Sequence, residues 1–217
     1  MGAGHSHEHS HDLPFDGMND EYKGRLVIVT AVNLAMFLVE MLAGQLAGSQ
    51  ALRADALDFF ADGLTYALSL WAIGRPVGVR TGAAFVKGLS LVAMGLWVAL
   101  TTLYHFFVYG VPEAETMGLI GIVALGANLF TVWLLFAQKD GDANIRSVWL
   151  CSRNDAIGNG AVVIAAGLVF VIGNGVPDLI VAGVMAALFL ISAVQILRQS
   201  YAEWQEARAE AEHDHDK

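Results

Sequence analysis

The chain has 217 residues, 56% of them hydrophobic and only 15% charged, with a formal net charge of -9. So many apolar side chains cannot be hidden inside one small water-soluble core, and lipid is the solvent that suits them. The acidity belongs to the ends, since 11 of the 21 Asp and Glu lie in residues 1–21 and 200–217, while the absence of a basic patch argues against a nucleic-acid partner and the single cysteine, Cys151, excludes an intrachain disulfide.

Residues 1–22 read as a polar, cytoplasmic N-terminal tail in which His5, His7, His9 and His11 alternate with other residues. No basic stretch precedes an apolar run there, so it is not a secretory signal. Residues 23–198 hold six apolar stretches of about spanning length: Leu26–Gly48, Ala51–Ile73, Gly88–Val108, Met117–Ala137, Ser147–Ile172 and Leu179–Leu197. The predicted fold is all-α, an integral membrane bundle of six transmembrane helices. Residues 199–217 read as a short charged cytoplasmic tail, a helical extension rich in Ala and Glu that carries His213 and His215. The two His-rich ends are expected to capture metal with low affinity, or else to be plain solvated tails.

Lys and Arg give the orientation. Lys23 and Arg25 precede the first span; Arg75, Arg80 and Lys87 lie around the second loop; Lys139 and Arg146 lie in the fourth; Arg198 follows the sixth span. The third and fifth loops have neither residue. With six spans every positive segment falls on one side, which places both termini in the cytoplasm of a multi-pass cell-membrane protein.

Ionisable groups at membrane depth are costly and mark function by default. Asp55, Asp58 and Asp62 lie three, four and seven apart in the second span, on one helix face. Three like charges there call for protonation, a cationic partner or a bound metal. The fifth span repeats the spacing with Cys151 and Asp155. Asp58 and Asp62 facing Cys151 and Asp155 make four ligands from two helices, the number zinc prefers, and three carboxylates with one thiolate suit a borderline transition metal better than magnesium or calcium. The bland alternative is that the aspartates bond to Ser, Thr or Asn of other helices and that Cys151 packs as a small hydrophobe. Asp55 lies nearer the membrane surface. Glu40 and Asn33, seven apart on the first span, are candidates to support the second. Lys87 reads as snorkelling to the cytoplasmic surface, and His105 as interfacial.

These residues resemble the cation diffusion facilitator family. Asn33, Phe37, Glu40, Gly44, Gly48-Ser49, Leu52, Asp55, Asp58 and Asp62 look like its first two helices. Asn144-Ile145-Arg146-Ser147 with Cys151 and Asp155 resembles its fifth, Asn128 matches an asparagine of its fourth, and Pro177-Asp178 is similar, in reversed order, to the Asp-Pro opening its sixth. The resemblance covers about residues 22–198. It implies export of zinc and related divalent ions from the cytoplasm in exchange for protons, at a site falling on Asp58, Asp62, Cys151 and Asp155. It also implies a homodimer.

Three departures qualify it. Cys151 stands where the family usually has His or Asp, and the stretch around Trp149–Asp155 looks more like a nickel- and cobalt-resistance branch. Arg153 lies between the helix-five ligands but away from both around the helix, placed to pair with Asp55 or Glu40 or to snorkel. The family's cytoplasmic metal-binding domain is not expected after Arg198, which weakens the case for a dimer.

The expected function is efflux of a divalent transition metal (zinc, nickel, cobalt or cadmium) against protons, with no cofactor beyond the transported ion and no enzymatic activity. A membrane-embedded metal sensor or accessory subunit is the alternative. An intramembrane hydrolase would need a metal with an open water position and a general base, and no HExxH or similar pair of His ligands occurs on any span.

Overall fold

The structure, a computed structural model, describes residues 20–72, 77–108, 110–136 and 143–215, with side chains for 23–68, 70–71, 82–108, 110–136 and 155–205. Every regular element among them is helical: α1 (Asp20–Ala47), α2 (Gln50–Ala72), α3 (Val77–Val108), α4 (Ala114–Leu135), α5 (Ala143–Ile172) and α6 (Val176–His215). Five of the six contain a segment long and apolar enough to cross a membrane. The exception is α2, whose Arg53, Asp55, Asp58 and Asp62 lower its hydropathy; its 23 residues still reach about 34 Å, as long as a hydrocarbon core is thick.

Predicted and observed helices coincide except at their polar ends. α3 starts at Val77 rather than Gly88, which puts Arg80 and Lys87 inside the helix, and α5 starts at Ala143, which takes in Arg146. Lys and Arg are good helix formers, so a helix runs past the apolar stretch that hydropathy detects. α6 continues without a break through the predicted tail to His215. Forty residues make about 60 Å of helix, twice the thickness of the hydrocarbon core.

α2 is the central helix. It packs on α1, α3, α5 and α6. Its Ala54 and Ala61 join Leu91, Met94 and Val98 of α3 and Ala182, Met185, Ala186, Phe189 and Ala193 of α6. On other faces Ala51 and Leu52 meet Met117 of α4 and Val162, Ala165 and Ala166 of α5, and Phe59 meets Met36 and Ala124. Tyr66 packs with Leu26, Val29 and Leu135. The outward positions are apolar and bare, Leu46 at 85% and Val171 at 80% exposure, as expected of a surface solvated by lipid.

The remaining pairings are α3 on α6, α4 on α5, α1 on α4 and α5 on α6. The α1–α2 turn is tight because Gly48 adopts a left-handed φ of 69°, which lets Ser49 N donate to Gly44 O at 3.0 Å in a Schellman closure. Gly44 admits the next helix closely: a Cβ there would lie 3.0 Å from Arg53 Cγ and 3.1 Å from Arg53 N. The turns α1–α2, α3–α4 and α5–α6 all lie at one end of the bundle. There Glu113 N donates to Ala47 O at 2.9 Å, and Gly175 lies against Pro112. Toward the opposite end, Arg25 Nη1 donates to Leu134 O at 2.7 Å and ties α1 to α4.

Candidate metal-ion site

Asp62 of α2 and Asp155 of α5 are 93 positions apart in the chain, and their carboxyls lie close enough to interact directly. The two helices run antiparallel: one turn after another along α5, Val162 reaches the level of Ala51 and Leu52. Tyr66, one turn beyond Asp62, donates its hydroxyl to Asp62 Oδ2 at 3.0 Å. Asp58, one turn the other way, is in electrostatic reach of Asp62 and of Asp55.

Glu40 of α1 lies in electrostatic reach of Asp55 and Asp58, and neither of its carboxyl oxygens has a hydrogen-bond partner among the described residues. Both Glu40 and Asp55 are buried within the bundle, at 0% exposure for Glu40 and 1% for Asp55. The helix continues only five residues beyond it, to Gln50, but the ends of α1 and α6 cover that turn. Asn33 is buried and donates Nδ2 to Val29 O of its own helix at 2.8 Å. Asn128 is buried on α4, and Asn159, one turn beyond Asp155 on α5, is fully buried.

Cys151 and Arg153 lie on α5, but their side chains are outside the described residues, and so is any pairing of Arg153 with Asp55 or Glu40. His5, His7, His9 and His11 also lie outside them; His213 and His215 lie on α6, with side chains not described. Among the described residues, no three His, Cys, Asp or Glu side chains form a group able to hold a metal ion. What is assembled is the Asp62–Asp155 pair.

Three features escaped the sequence reading. Tyr66 stands four residues after Asp62, a spacing that announces the contact. Lys87, read as snorkelling, is half-buried and lies in electrostatic reach of Asp58 and Asp62. Its position one turn before Leu91, on the stripe with Met94 and Val98, was the available signal. Asp178 accepts from Ser49 Oγ at 2.6 Å and from the backbone N–H groups of Gln50 and Ala51 at 2.8 and 3.0 Å. Ser49 Oγ in turn accepts from Leu52 N at 3.1 Å. A carboxylate of α6 therefore caps α2, at the end where the helix dipole favours negative charge. His105, expected at the interface, is buried and in electrostatic reach of Arg53 and Asp178.

Residues 26–203 match the cation efflux transmembrane domain. The chain belongs to the cation efflux family. Among its curated relatives is the zinc transporter ZitB of Escherichia coli, 30% identical over 216 residues that cover 94% of this chain and 67% of that protein. The cadmium, cobalt and zinc/H(+)-K(+) antiporter of Bacillus subtilis is 25% identical, covering 84% of this chain and 63% of that one. The metal cation efflux system protein CzcD of Cupriavidus metallidurans is 26% identical, covering 92% and 64%. The chain thus spans about two thirds of the length of these members of the cation efflux family.

Proposed function

We propose that the protein exports a divalent transition-metal ion across the membrane in exchange for protons, and that the ion binds Asp58, Asp62, Cys151 and Asp155. The observation that carries this reading is the contact of Asp62 with Asp155. Two carboxyls cannot touch in an apolar interior with both charged, so a cation must stand between them, either a proton or a metal. A metal needs both deprotonated and therefore expels the proton, and a returning proton expels the metal. Competition for the same oxygens becomes antiport when the pair faces the two sides of the membrane in turn.

Membership of the cation efflux family and the metals in the relatives' names support zinc, cadmium or cobalt as cargo. Cys151 adds nickel to the list, because a thiolate favours softer ions than an all-carboxylate site does. Asp55 and Glu40 support the site from behind, and the His-rich ends collect metal at its mouth. Transporters of this family are not enzymes, and the chain needs no cofactor besides its cargo. The even number of helices and the placement of Lys and Arg support a reading with both termini in the cytoplasm. Residues 23–198 form the transporting unit, flanked by the 1–22 and 199–217 tails.

The test is metal-driven proton flux in proteoliposomes across zinc, cobalt, nickel and cadmium. Asp62→Ala and Asp155→Ala should each abolish flux with membrane insertion intact, and Cys151→His should shift the profile towards zinc. Full flux in either aspartate variant removes the assigned site.

A further inference from the structure

Carboxylates gathered inside a bilayer need positive charge nearby when no metal is bound, and this chain supplies one from a third helix. Lys87 lies on the α3 stripe that continues through Leu91, Met94 and Val98, the residues with which α3 packs on Ala54 and Ala61 of α2. Because α2 and α3 run antiparallel, the turn before Leu91 falls beside the turn after Ala61, which is where Asp62 stands. The ammonium is within electrostatic reach of both Asp58 and Asp62. Gly88, the next residue, lies against Leu197 of α6, so the helix at this point is held between two neighbours.

We propose that Lys87 is a tethered counter-cation of the Asp58–Asp62 turn, which neutralises the empty site and has to be displaced by the incoming metal ion. This rests on the efflux reading above and extends it to a residue that ligates nothing. A fixed positive charge beside the carboxylates repels a divalent ion twice as strongly as a proton. It therefore weakens metal binding and hastens metal release. Lys87 is a positioning and specificity-determining residue: it keeps the site from becoming a trap, since transport needs an ion bound loosely enough to leave.

The experiment uses the full chain, purified and reconstituted, with Lys87→Met and Lys87→Arg. Equilibrium binding of cobalt and zinc is measured by titration in detergent, and the metal dependence of flux is measured in proteoliposomes. Lys87→Met should bind metal about tenfold more tightly, the ratio equivalent to ~1.4 kcal/mol. Its KM for flux should fall and its maximal rate should fall with it. Lys87→Arg keeps the charge and should retain the parent values of both. A purely structural role predicts the opposite pattern, with weaker binding and less folded protein in both variants. Unchanged or weaker binding in Lys87→Met overturns the proposal, as does Lys87→Arg behaving like Lys87→Met. If the parent protein binds metal but moves none, the efflux reading fails while the binding comparison still decides the role of Lys87. If the parent protein binds no metal, both fail.

Discussion

Asp178, the third residue of α6, accepts a 2.6 Å hydrogen bond from Ser49, the residue that precedes α2. The same carboxylate takes the first two backbone N–H groups of α2, so one residue of α6 fixes where the acid-bearing helix begins. Asp178→Ala removes three acceptor contacts from a buried helix end. The expected loss is about 1–3 kcal/mol, from an orphaned helix N-terminus and a buried hydroxyl. A lowered midpoint in thermal unfolding in detergent measures it. Asp178→Asn should lose less, because one amide oxygen still accepts.

Tyr66→Phe should weaken metal uptake without unfolding the protein. The phenol donates to Asp62 Oδ2 and so holds that carboxyl in one orientation. Without it the carboxyl is less well oriented, and the KM for metal should rise roughly fivefold, equivalent to the ~1 kcal/mol of one net hydrogen bond. Tyr66 also packs against Leu26, Val29 and Leu135, and phenylalanine keeps that packing. Metal-dependent flux at fixed pH gives the answer, and an unchanged KM would make Tyr66 a packing residue alone.

Gly44 sets how closely α1 approaches the start of α2. Gly44→Val places branched carbons where a Cβ would already meet Arg53 N at 3.1 Å and Leu52 Cβ at 3.1 Å. Backbone cannot step aside as a side-chain tip can, so a loss of about 1–3 kcal/mol is expected, with reduced transport. Gly126 is the internal control. Nothing lies within 4 Å of a Cβ built there, and Gly126→Ala should be neutral or stabilising by up to ~1 kcal/mol.

Metal binding should release protons, and the apparent affinity should rise with pH. The sign follows from the proposed site: carboxyls that take up a metal ion must first give up any proton they hold. A pH indicator in weakly buffered detergent solution should acidify on addition of zinc or cobalt. The acidification should vanish in Asp62→Asn, where one of the two acids is gone.

The six helices and their order were legible from hydropathy, because a spanning segment must satisfy its own backbone and bury itself in lipid. The pairing of Asp62 with Asp155 was legible from spacing on two separate helices. The starts of α3 and α5 were not, since Arg80, Lys87 and Arg146 look like loop residues to a hydropathy scale and like good helix formers to a backbone. The contacts of Asp178 and Lys87 were not legible for a shared reason. Each acts on a helix other than its own, and sequence periodicity describes one helix at a time. The burial of Asp55 was not legible from α2 alone, because Glu40 on α1 is one of the groups packed near it.

The bonds from Ser49, Gln50 and Ala51 to Asp178, and from Glu113 to Ala47, all lie at one end of the bundle. Prising that end apart would break several of them together, each contributing roughly 0.5–1.5 kcal/mol. Loosening the other end leaves every one intact. Among the described residues Arg25 is the tie toward that other end, so a serine and an aspartate about 130 positions apart help to set how readily the first end opens.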